Sequence, residues 1–68
     1  MSAPDALLLI STQCPYCPAM LSALADLVKR GAIGRLEAVN LNVHPEVGQA
    51  LGVWTVPWLR LGRIELAG

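Results

Sequence analysis

The longest uninterrupted apolar stretch, Ala6-Leu-Leu-Leu-Ile10, is followed at once by turn-forming residues. A run of that length reads as a strand buried on both faces, the habit of a central strand. It is far shorter than the ~20 residues a membrane span needs. No Lys or Arg precedes it, so neither a membrane segment nor a secretory leader is expected. Beyond the turn at Ser11 to Pro18, Met20, Leu21, Leu24, Leu27 and Val28 recur at helical spacing. Lys29 and Arg30 fall in the last turn, where they favour the negative end of the helix dipole, and Gly31 suits a left-handed cap. Leu36 to Val43 reads as a second strand, with Val39, Leu41 and Val43 alternating with Asn40 and Asn42. His44-Pro45-Glu46 looks like a helix start, Val47 and Leu51 lie four apart, and Gly52 ends this short helix. Trp58 to Leu61 and Ile64 to Ala67 read as short strands. They are joined at Gly62-Arg63, a two-residue loop with Gly first, as a type II′ hairpin prefers. The order β-α-β-α-β-β predicts an α/β fold with a four-stranded mixed sheet. The first βαβ unit is right-handed and parallel, and the last two strands are antiparallel. No linker or repeat interrupts the chain, so a single domain over residues 1–68 is expected.

Composition narrows the function. Five basic and five acidic residues cancel, which removes any electrostatic case for nucleic acid or an anionic membrane as a partner. Apolar residues make up 54% and charged residues 15%, against roughly 25% charged in an average soluble domain, so disorder is not expected. A chain this small and apolar either packs very well or hides surface against something else.

The chemistry concentrates in Cys14-Pro15-Tyr16-Cys17, at the junction of strand and helix. A bond between cysteines three apart closes a tiny loop and removes little unfolded-state entropy, so a structural staple is the weaker reading. First-turn helix amides lack internal partners, and their positive potential favours a thiolate at Cys14. Pro15 and Pro18 cost little there, and Pro15 stiffens the loop. Cys17, one turn further in, is placed to attack a mixed disulfide formed on Cys14. The same two thiols are half of a zinc site. His44 is the only histidine and there is no third cysteine, so four ligands from one chain are poorly supported. A metal ion or iron–sulfur cluster held between two chains stays open as the alternative function. His44 itself is read as a surface residue at a helix start. Pro57 opens a strand, where it is either a cis proline or an ordinary edge-strand trans proline.

Cys14-Pro15-Tyr16-Cys17, followed some forty residues later by Thr55-Val56-Pro57, resembles the thioredoxin superfamily, and its glutaredoxin branch in particular. Small glutaredoxin-like thioredoxins and protein disulfide oxidoreductase domains are similar too, and the resemblance covers the chain from Ala6. It implies a truncated thioredoxin-like fold with no C-terminal helix, since residues for that helix are missing. It also implies a dithiol–disulfide oxidoreductase active in electron transport and cell redox homeostasis, with no cofactor beyond its own redox-active disulfide. Cys14 would attack and Cys17 resolve, within a loop that includes Pro15 and Tyr16. Thr55, Val56 and Pro57 would bind substrate, with Pro57 the cis proline packed against the pair and Val56 offering its backbone. The implied partners are a protein or small-molecule disulfide as substrate and a reductase or glutathione as electron donor.

Departures from the family pattern sharpen these expectations. No cation precedes the loop, and Ala67-Gly68 stands where a glutathione-binding Gly-Gly-x-Asp element would begin, which weighs against glutathione recognition. Gln13 stands where thioredoxins have Trp, and Leu8 where they have a buried Asp, so the Cys17 proton goes to water or substrate. Trp58 is read evenly as core packing or as a docking surface. Without a closing helix one sheet face is left partly bare, to be covered by a second copy, another protein or further sequence. With no targeting signal read in the sequence, a reducing cytoplasm is the expected location.

Overall fold

A computed structural model of the chain describes residues 3–67; Gly68 lies outside the described residues. The elements are β1 (Asp5–Ile10), α1 (Cys17–Lys29), β2 (Arg35–Asn40), α2 (Pro45–Leu51), β3 (Trp58–Leu61) and β4 (Ile64–Ala67). The sheet order is β2-β1-β3-β4, with β1 parallel to β2 and antiparallel pairing elsewhere. The expected mixed four-stranded sheet is therefore present.

β1 has neighbours on both sides, and this explains its continuous apolar run. Successive side chains of a strand point to opposite faces. Leu8 and Leu9 thus enter different layers, and both are 0% exposed. On Leu8's face, Ala6, Leu24, Ile33 and Leu59 form one core, backed by the helical stripe Met20, Leu21, Leu27 and Val28. On Leu9's face, Val53 and Trp58 form a second core with Val39, Leu41, Val47 and Val56. α2 belongs to this layer and lies very close to the sheet edge. A Cβ built at Gly48 would meet Leu41 Cδ1 at 3.2 Å.

The turns follow the expected chemistry. Gly31 and Gly52 adopt φ of 80° and 67° at the ends of the two helices. Gly62 has φ 59° while Arg63 keeps a negative φ, the pattern of a type II′ loop. β2 differs from expectation: it ends at Asn40 instead of running to Val43. The amides of Val43 and His44 both donate to the Asn40 carbonyl, and the Asn42 amide donates to Asn40 Oδ1. Asn40 thus curls the chain into a turn, as Asn side chains readily do. Val43 ends up exposed.

The register puts Leu66 beside Leu59 and Ile64 beside Leu61, on the α1 side of the sheet. Both stand in solvent, at 52% and 61% exposure. Among the described residues no helix is long and apolar enough to cross a membrane.

The contrast within this one face is measurable. Leu8→Ala, at a fully enclosed position, is expected to destabilise the protein by about 3 kcal/mol in urea unfolding. Leu66→Ala should change stability by less than about 0.5 kcal/mol, because its side chain is already largely hydrated.

Candidate active site

The site grows from the end of β1. After Ile10 the chain makes a turn closed by the Cys14 amide donating to the Ser11 carbonyl at 3.2 Å. α1 then begins at Cys17, with Tyr16 as N-cap and Pro18 in the first turn. Cys14 therefore precedes the helix and Cys17 is its first residue. The two form a disulfide, with Cα atoms 5.5 Å apart. Their exposures differ: Cys14 is half-buried and Cys17 only 3% exposed. Any incoming sulfur thus reaches the bond from the Cys14 side. No side chain caps the first turn of α1, which starts at Cys17, so its free amides keep their positive potential.

The disulfide borders a groove of about 300 Å³ whose walls include Ile10, Pro18, Leu21 and Asn40. The groove opens on α1's side of the sheet end. Thr55, Val56 and Pro57 do not line it. They belong to the loop between α2 and β3, and Val56 packs in the other layer. Pairing of Leu9 with Trp58 nevertheless brings this loop to the same end of the sheet as the cysteines, since β3 starts where β1 finishes. The Val56–Pro57 peptide is cis. Thr55 is exposed, Val56 half-buried and Pro57 buried. Among the described residues no backbone hydrogen bond engages Val56.

Two features lie beyond what the sequence decides. The first is a polar clamp on the cysteine loop. The Thr12 amide donates to Asn42 Oδ1 at 2.8 Å, Asn40 Nδ2 donates to Thr12 Oγ1 at 3.1 Å, and the Asn42 amide donates to Asn40 Oδ1 at 2.8 Å. The loop carrying Cys14 is thereby tied to the turn after β2. The second concerns the tryptophans. Trp58 is core, at 7% exposure, while Trp54 is 86% exposed on the loop leading to Pro57. Tyr16, between the cysteines, is 73% exposed.

The surroundings carry little charge. No polar or charged side chain is buried among the described residues, and Leu8 fills its place in the core with 0% exposure. Among the described residues no buried carboxylate therefore accompanies Cys17. His44 is exposed at the start of α2, 3.3 Å from Glu46, and stays a surface residue. Among the described residues no group of three His, Cys, Asp or Glu side chains comes together as a metal site.

A parallel strand pair bridged by α1, an antiparallel hairpin, and a cysteine pair at the strand-to-helix junction define a thioredoxin-like fold. Solved structures agree. One described as a malarial protein superposes with a TM-score of 0.77 at 20% identity, over 97% of this chain and 78% of that one. A second, described as thioredoxin-2, a component of the malaria parasite's protein secretion machinery, gives 0.73 at 20% identity. The match covers 96% of this chain and 66% of that one. No protein-family model matches the sequence, and no curated protein matches it.

The clamp predicts a local effect. Asn42→Ala removes the acceptor of the Thr12 amide, whose hydrogen exchange is expected to speed up about fivefold, the equivalent of one ~1 kcal/mol hydrogen bond. Asn42→Asp keeps an acceptor oxygen there and should retain the protection.

Proposed function

We propose that the protein is a dithiol–disulfide oxidoreductase. The observation that carries this reading is the asymmetric pair: a reachable Cys14 bonded to an enclosed Cys17 at the uncapped start of α1. A structural bridge has no use for one open sulfur beside free helix amides.

In the reduced protein, Cys14 as thiolate attacks one sulfur of a substrate disulfide. A mixed disulfide forms, and the first substrate sulfur leaves as a thiolate that takes up a proton. Cys17 then gives up its proton and attacks Cys14 Sγ. The second substrate sulfur leaves, and the Cys14–Cys17 bond forms. Two electrons pass from protein to substrate. With no buried carboxylate against Cys17, its proton goes to water or to the departing substrate thiolate. The free Val56 backbone suits a substrate held as a short extra strand beside Thr55-Val56-Pro57. A dithiol donor must restore the reduced pair. A thiol reductase fills that role better than glutathione, since no cation precedes the loop. In a reducing cytoplasm the pair acts chiefly as a reductant.

Cys14→Ser is expected to reduce disulfide exchange to the uncatalysed rate. Cys17→Ser should stall after the first attack and accumulate a mixed disulfide, seen by mass spectrometry as a covalent adduct on Cys14. Catalysis surviving in Cys14→Ser would falsify the reading. Cysteine-dependent visible absorbance with stoichiometric metal in freshly purified dimer would favour the metal-binding alternative instead.

A further inference from the structure

Charge is segregated in this molecule. Between residues 38 and 59, Glu46 is the one formal charge, and between residues 6 and 25 there is none. These segments supply the end of β1, the cysteine loop, the first half of α1, the turn after β2, and the loop that leads into β3. The remaining charges lie toward the opposite end. Asp5, Arg35, Glu37 and Arg60 line a groove there, Lys29 and Arg30 end α1, and Arg63 sits in the hairpin turn. The end that carries the disulfide is uncharged apart from the exposed His44–Glu46 pair.

That same end displays large apolar side chains. Trp54 is 86% exposed and Tyr16 73%. Trp54 precedes Thr55-Val56-Pro57 directly, and Tyr16 lies between the cysteines. Core packing explains neither of them, because each is mostly in water. An indole offered to solvent gains much when a partner desolvates it, which is why tryptophans so often dominate interfaces. An uncharged surface, by contrast, gives an anion no counter-charge to pair with.

On the oxidoreductase reading above, we infer that Trp54, supported by Tyr16, is a specificity-determining residue. It selects protein disulfides whose flanking residues are apolar and uncharged, and it disfavours acidic disulfides, including the tripeptide disulfide of glutathione. Recognition rests on desolvation, so it should depend little on salt.

Single-turnover oxidation of the pre-reduced protein tests this. Two disulfide peptides of equal length are compared, one with Leu and Phe beside its cysteines and one with Asp and Glu. The wild-type rate constant should be roughly tenfold higher for the apolar peptide, the effect of one good aromatic contact. It should hold in high salt. In Trp54→Ala the ratio should fall toward one, and Trp54→Arg should favour the acidic peptide. A wild-type ratio near one, or a ratio unchanged in Trp54→Ala, overturns the inference. Bis(2-hydroxyethyl) disulfide, which has no flanking residues, separates the two levels. Wild-type protein that fails to react with it contradicts the oxidoreductase reading itself, and the inference falls with it. Normal reaction with it confines any failure to Trp54.

Discussion

A helix that starts without a side-chain cap leaves amide dipoles to be satisfied from outside. In this protein that position lies within the Cys14–Cys17 segment. α1 begins at Cys17 with no capping side chain, Pro18 removes one amide of its first turn, and Cys14 sits just before the start. On the proposed mechanism, a thiolate there would be stabilised relative to one in an unfolded chain. A downward shift of one pKa unit corresponds to about 1.4 kcal/mol of selective support for the anion. At a pH above both the folded and the unfolded value, that support stabilises the reduced state in full and makes the disulfide about 30 mV more oxidising. It fades as pH falls through the folded value. The redox chemistry proposed for the pair therefore depends on where one helix begins.

The rest of the fold holds that junction still. β1 is enclosed on both faces through Leu8 and Leu9, so the strand that delivers the cysteine loop is the most constrained in the sheet. The Thr12–Asn40–Asn42 clamp fixes the loop from one side, and pairing of Leu9 with Trp58 brings the Pro57 loop to the same end of the sheet. The two layers then divide the work. The α1 layer borders the groove beside the disulfide, while Val56 packs in the α2 layer.

Much of this was legible in the sequence, for reasons of local physics. The apolar run of β1, the helical stripe from Met20 to Val28 and the Gly62-Arg63 loop are each decided by neighbours a few positions away. The end of β2 was not legible. Alternation of Val39, Leu41 and Val43 with asparagines looks like a continuing strand, and only the side-chain bonds of Asn40 and Asn42 turn it aside. The clamp itself joins residues 28 and 30 positions apart, a separation that no periodicity reveals. The two tryptophans show the same limit. They lie four apart on either side of Pro57, and nothing local says which one faces the core. Pairing of Trp58 with Leu9 places it inside, and Trp54 is left on the loop in water.

The most direct measurement is the pH titration of the Cys14 thiol in the reduced protein, followed by thiolate absorbance or by the pH dependence of alkylation, with Cys17→Ser to isolate it. The account predicts a pKa clearly below that of cysteine in an unfolded peptide, rising to the peptide value when the protein is denatured. A pKa equal to or above the peptide value in the folded protein would contradict it.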